Sequence, residues 1–232
     1  EHAAAVLLDA HRKGLGHEES LRAAWSAIRA EVDARPEGSP DQVLEAFERG
    51  QREFAGLEYE AAIEAYEQAE ALLPCLVGHL PEGKLGDLYF FHGLAAFYVR
   101  GTSESHRAFS RALAAEPTRP WDDRFPPPPQ QVFLEAARQT VVTPPQPVVL
   151  VDPDGLVSEV RIDSTPWDEV AALRGLVPGT HLVQWRDVDG VIRGLQVELI
   201  PGGQLALVTA AGLREAILDG GEHPELARVA TP

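Results

Sequence analysis

Apolar positions along this chain change rhythm once. Up to about residue 139 they recur at helical spacing. Leu21, Trp25, Ile28 and Val32 follow one another at intervals of four, three and four, which puts them on one face of a helix over about 18–35. Pro36, Gly38 and Pro40 then interrupt the pattern. Ser39, Pro40 and Gln42 spell a capping box, with Ser39 at the N-cap, Pro40 in the first turn and Gln42 reaching back, so a second helix is predicted to start near Pro40. Two proline-dense stretches, "RPWDDRFPPPPQQ" (119–131) and "TPPQP" (143–147), read as extended or turned, because proline lacks an amide hydrogen and restricts its predecessor. Pro126–Pro129 reads as a rigid surface spacer, with a ligand for an SH3-type domain as the alternative.

Beyond Pro147 the period becomes two. "VVLV" (148–151), "SEVRID" (158–163), "THLVQW" (180–185), "VIRGLQVELI" (191–200) and "QLALV" (204–208) alternate as strands do, and "DPDG", "VPGT", "DVDG" and "PGG" separate them as turns. A small antiparallel β-sandwich of five to seven short strands is expected over 148–209, followed by a short helix and tail over 210–232. The fold class is therefore α+β in two domains, the first helical over 1–142.

Inside the helical domain a single spacing recurs. From Gly50, small, aromatic, small and proline residues follow at Ala62, Tyr66, Ala69 and Pro74; from Gly93 the same offsets reach Ser105, Phe109, Ala112 and Pro117. Glycine and alanine allow two helix backbones to approach, and proline stops the second helix. These positions resemble the tetratricopeptide repeat (TPR), a helical-hairpin family, in two units at about 43–76 and 86–119, with a capping helix at about 130–139. The two units lie 43 residues apart, more than a tandem pair requires, so an ordered loop is expected around Val77–Leu85. A weaker hairpin is expected over 3–36, where Ala24, Ile28 and Pro36 keep the same order.

The second half carries another resemblance. Ile162, Asp163, Leu176, Pro178, Gly179 and His181 match the strand-turn-strand pattern of the PEGA domain, a small bacterial β-sandwich, although Ser164 stands where that family usually has glycine. The pairing of TPR-like and PEGA-like domains implies a bacterial protein of the periplasm or cell envelope, with the cytoplasm as the alternative.

Composition narrows the chemistry. The formal charge is −16, and between Asp41 and Pro74 nine acidic residues meet only Arg49 and Arg52, a surface that repels nucleic acid. Leu85–Val99 and other apolar runs are too short and too interrupted to span a bilayer. Cys75 has no partner for an intrachain disulfide, and the chain begins at Glu1 without any methionine, which is expected of a processed or trimmed start and suggests export. The eight histidines show no i, i+4 pair and no cysteine cluster, "DPDG" and "DVDG" lack the later carboxylates of a calcium loop, and Cys75 with His79 lacks an orienting third group. No catalytic residue, metal or cofactor is assigned.

What remains is a surface. The TPR resemblance implies a groove lined by the first helix of each hairpin, and the matching positions are Phe47, Gln51, Phe54, Phe90, Leu94, Phe97 and Tyr98. The competing reading is that "YFFHGLAAFY" (89–98) is core. Phe47 and Gln51 replace the residues with which some such grooves grip acidic chain ends, so an apolar or basic ligand is expected. The function anticipated is a non-catalytic scaffold or adaptor for protein partners. The alternatives are a glycan- or peptidoglycan-binding module using Trp167 or Trp185, and an accessory subunit of an enzyme or secretion machine.

Overall fold

The computed structural model describes residues 38–146, 148–151, 159–167, 175–186, 190–199 and 205–208, all within one compact unit, Gly38–Asp219. The hairpin expected over 3–36, the "DPDG" turn and the tail over 210–232 lie outside the described residues. Among the described residues five helices precede the sheet: α1 (Pro40–Ala55), α2 (Tyr59–Leu72), α3 (Lys84–Val99), α4 (Thr102–Ala115) and α5 (Pro127–Val142). A four-stranded antiparallel sheet follows in the order β3-β2-β4-β5, from β2 (Val160–Ile162), β3 (Thr165–Pro166), β4 (Gly179–Arg186) and β5 (Ile192–Leu199). The α+β layout is therefore that of the molecule.

The start of α1 is as its sequence requires. The Gln42 amide donates to Ser39 Oγ at 3.2 Å, and Gln42 Oε1 accepts from the Ser39 amide at 2.9 Å. Helices α1 and α2 form one hairpin and α3 and α4 a second, each closed by a ring on a glycine. A Cβ at Gly50 would lie 2.3 Å from Tyr66 Cε1, and one at Gly93 would lie 2.6 Å from Phe109 Cδ1. Ala62, Ala69, Ser105 and Ala112 are fully buried beside these joints, and Ser105 Oγ donates to the Gly93 carbonyl at 2.8 Å. Tyr66 sits on Gly50 of its own hairpin, while its ring also reaches His92 of the next at 6.2 Å.

The same 43-residue step that carries Gly50 to Gly93 carries Gly93 to Ala136, and Phe47 through Phe90 to Phe133, each of them buried. Helix α5 thus stands where the first helix of a third unit would, with no second helix after it among the described residues, and it is longer than the cap expected at 130–139. Pro127, Pro128 and Pro129, read from sequence as extended or turned, form its first turn. The amides of a first helical turn have no intrahelical acceptor, so proline loses nothing there.

The loop after α2 is ordered. Helix α2 stops before Pro74, residues Leu73–Cys75 form a 3₁₀ turn, and Leu73, Leu76 and Leu80 are buried. That loop receives the sheet. Gln184 Nε2 donates to the Gly78 carbonyl at 2.7 Å, the Gly78 amide donates to the Ile192 carbonyl at 3.3 Å, and Gly194 of β5 lets the Leu73 and Leu76 carbonyls approach. Leu182 joins the helical core, and Gln196 Nε2 donates to the Tyr89 hydroxyl at 3.1 Å.

The sheet half departs from the sandwich expected. One face of β4, with Leu182 and Gln184, packs on the helices, which take the place of a second antiparallel layer among the described residues. The opposite face gathers Ile162 and Val183 with Val160, Trp167, Leu176, Trp185 and Val197. Strands β1 (Val148–Val151) and β6 (Leu205–Val208) pair with each other, and they do so in parallel. Parallel neighbours need a long crossover, and the chain between residues 151 and 205 supplies it.

Candidate functional site

The helical half carries a continuous path of aromatic rings. Phe47 and Phe91 lie 5.8 Å apart, Phe91 and Phe54 6.0 Å, and Phe54 and Tyr59 5.4 Å. Tyr59 then stacks on Tyr98 at 4.5 Å with planes 13° apart, and Tyr98 meets Phe97 edge-on at 5.5 Å. Aromatic pairs in such offset and edge geometries add about 0.5–1.5 kcal/mol each beyond the area they bury. The inner end of the path is closed and the outer end is open, because the path leaves the core at the tip where α1 turns into α2.

That tip has an unusual backbone. The Leu57 amide donates to the Phe54 carbonyl at 3.0 Å and the Glu58 amide to the Glu53 carbonyl at 2.9 Å, a Schellman closure whose pivot residue must be left-handed. The pivot is Leu57, at φ 64° and 69% exposed. At the corresponding turn of the second hairpin the positive φ belongs to Gly101. Val99 and Tyr98 are also exposed, and Glu60 pairs with Arg100 at 3.1 Å beside the Tyr59–Tyr98 stack.

The seven expected groove residues divide. Phe47, Phe90 and Leu94 are buried; Gln51, Phe54 and Phe97 are half-buried; Tyr98 is exposed. Phe90 is enclosed by Phe109, Trp121, Phe125 and Phe133, so the inner three positions are core and the outer four form surface. Leu57, Tyr59, Phe91 and Phe125 were not anticipated. Helix α3 is apolar nearly all round, so neighbouring Phe90 and Phe91 face different partners and its pattern alone selects no single face.

Two polar clusters stand behind this surface. Glu70 of α2 bonds His92 Nδ1 of α3 at 2.6 Å through one oxygen and Arg111 of α4 through the other, while the Arg111 guanidinium lies 4.1 Å from the Tyr89 ring centroid. Burial alone would raise the Glu70 pKa, but the His92 hydrogen bond and the Arg111 and His92 charges outweigh it and hold the carboxyl below its usual value. The group ties the first hairpin to the second. Burial raises the Tyr89 hydroxyl well above its ordinary pKa.

The second cluster lies in the sheet, where the residues of the PEGA resemblance meet. Asp163 and Ser164 take φ values of 53° and 69° in the two-residue turn between β2 and β3, the left-handed pair of a type I′ hairpin. Asp163 Oδ2 lies 2.6 Å from His181 Nδ1, Asp163 Oδ1 accepts from the Leu182 amide at 2.9 Å, and His181 Nε2 lies 2.6 Å from the Val177 carbonyl. Both ring nitrogens face acceptors, an arrangement that favours the doubly donating imidazolium. Burial would lower its pKa, but the Asp163 bond and charge and the Val177 carbonyl raise it above the ordinary histidine value. Each partner is consumed by this lock, which ties the β2–β3 turn to β4.

Chemistry elsewhere is sparse. Among the described residues no group of three His, Cys, Asp or Glu side chains could hold a metal ion. His79 Nε2 lies 2.9 Å from Glu159 Oε1. An open depression of about 380 Å³ lies between α4 and α5, lined by Thr102, Ser103, His106, Gln131, Val132 and Glu135. No described helix is long and apolar enough to cross a membrane. No family model matches the chain, and no curated protein or solved structure matches it either.

Proposed function

We propose that this chain is a non-catalytic interaction module that holds an apolar or basic segment of a partner protein against the aromatic edge of its helical hairpins. One observation carries the reading: Leu57 is displayed outward in a left-handed conformation. That conformation costs a non-glycine residue about 1–2 kcal/mol. The second hairpin turns by a different route, with Gly101 at φ 88° and ψ −179°, and places no non-glycine residue at positive φ. A strained leucine two residues before Tyr59, beside Tyr98 and Val99, is what a contact surface would retain and a purely structural turn would not. Glu53, Glu58 and Glu60 lie at the same tip and favour a basic residue in the ligand.

The wider assignment, a TPR-like array joined to a PEGA-like sheet in a bacterial envelope assembly, belongs to the same proposal. It is supported by the repeated ring-on-glycine joints and by the meeting of Asp163 in the β2–β3 turn with His181 of β4. Selection of a random peptide library on the full chain tests the binding function. The selected peptides should be rich in aromatic, aliphatic and basic residues, and Tyr98→Ala and Leu57→Gly should each weaken them about tenfold, near 1.4 kcal/mol, with both variants still folded and Leu57→Gly showing no fall in melting temperature. Failure to select any peptide, or selected peptides indifferent to both substitutions, would remove the proposal.

A further inference from the structure

Residues 116–126 connect α4 to α5 and cross the aromatic path at Phe54 and Phe91. Trp121 lies 5.6 Å from Phe90 and 5.5 Å from Phe133, and Phe125 lies 6.0 Å from Phe54 and 5.6 Å from Phe91. The segment is anchored at its start by Arg119, whose guanidinium bonds Asp87 and Glu116, both at 2.7 Å, and lies 4.6 Å from the Phe90 centroid. At its end Pro129 of α5 is buried. Between these anchors its hydrogen bonds are local: the Phe125 amide donates to the Asp122 carbonyl at 3.0 Å, and Arg124 bonds the Asp122 carboxylate. None reaches α1 or α3. Trp121 and Phe125 are only partly buried, and Asp123 and Arg124 between them are exposed. Over Trp121–Phe125 the strap is therefore held on α1 and α3 by two rings alone.

We infer that the face built by Phe54, Phe90 and Phe91 is a receptor for segments carrying two aromatic side chains four residues apart, and that the chain's own Trp121–Phe125 strap is its resident occupant, displaced when a partner binds. This rests on the function proposed above and names its ligand. The strap supplies the template, since a turn with rings at its first and fifth positions fills the face. Arg119 and Arg124 in the same segment are matched by Asp122 and Asp123, so the two rings and not net charge seat the strap. A tethered occupant acts at an effective concentration of order millimolar, so a free segment of equal chemistry meets a strong competitor.

A labelled peptide of residues 117–129 tests this with the full chain. It should bind a Trp121→Ala, Phe125→Ala double variant at least tenfold more tightly than the wild type, and a peptide with both rings replaced by alanine should bind neither. Equal binding to both proteins overturns the inference, as does no binding to a folded double variant. Self-association of that variant without peptide binding also overturns it, because the face would then serve a second copy. If the double variant does not fold, trypsin decides on the wild type. Cleavage at Arg124–Phe125 should precede cleavage at any arginine of α1–α4, whereas protection of Arg124 until those helices are cut would make the strap permanent core. Both tests use only this chain and its own segment, so they can fail while library selection succeeds, and the reverse.

Discussion

The two hairpins share a joint and differ at their edges. In each, a glycine on the first helix admits an aromatic ring from the second, Gly50 with Tyr66 and Gly93 with Phe109, at the same sequence offset. The first hairpin turns through a strained, exposed Leu57 and the second through Gly101. The first buries a ring hydroxyl without a hydrogen-bond partner, Tyr66, where the second has Phe109. The loop after the first is sealed beneath β5, and the segment after the second lays two rings on the aromatic face. A common joint sets the helix spacing, and the departures from it mark where stability has been given up for surface.

The largest effect should come from breaking what joins the hairpins. Glu70→Gln removes the charge shared by His92 and Arg111 and leaves a largely buried guanidinium without its carboxylate; we expect a loss of about 2–4 kcal/mol, read by denaturant unfolding. The wild type should show the matching pH dependence. Because the folded Glu70 pKa is lowered, its contribution is present above the unfolded value and is lost as pH falls through the folded one.

Next come the joints. Gly50→Ala and Gly93→Ala should each destabilise by about 1–3 kcal/mol through overpacking, less the roughly 1 kcal/mol that alanine gains in a helix. Gly50→Ala should be the worse, since its Cβ meets the ring more closely, and equal or reversed losses would show that the joints are not equivalent. The sheet provides a contrast of opposite sign. His181 has a raised folded pKa, so its contribution is complete below the ordinary histidine value and disappears as pH rises through the raised one. Asp163→Asn should move the His181 titration, followed by NMR, to lower pH.

The smallest effects make the first hairpin resemble the second. Leu57→Gly should stabilise by about 1 kcal/mol by relieving the left-handed leucine, while weakening ligand binding. Tyr66→Phe removes a buried hydroxyl that has no partner and should be neutral or stabilising by up to about 1 kcal/mol, measured as a rise in melting temperature.

Much of this was legible in the chain. Ser39 and Gln42 announce α1 by local hydrogen bonding, the offsets from Gly50 and Gly93 reflect contacts within one hairpin, and the strands follow their alternation. The losses were non-local. Nothing near Trp121 or Phe125 specifies that they return to α1 and α3, and the alternation of β4 does not reveal that helices, not strands, cover Leu182 and Gln184. Pro127–Pro129 misled because the rule against helical proline lapses in a first turn. Of the site, the outer positions Gln51, Phe54, Phe97 and Tyr98 were found at the surface, whereas the left-handed Leu57 is a backbone fact that no side-chain pattern encodes.

Hydrogen exchange of the full chain, with and without a library-selected peptide, tests most directly whether the hairpin edge is the binding surface. We expect slowed exchange over residues 54–60 and 91–101, with β4 unchanged. Slowed exchange confined to β4 and the strands around Trp167 and Trp185 would contradict the account and move the binding surface to the sheet.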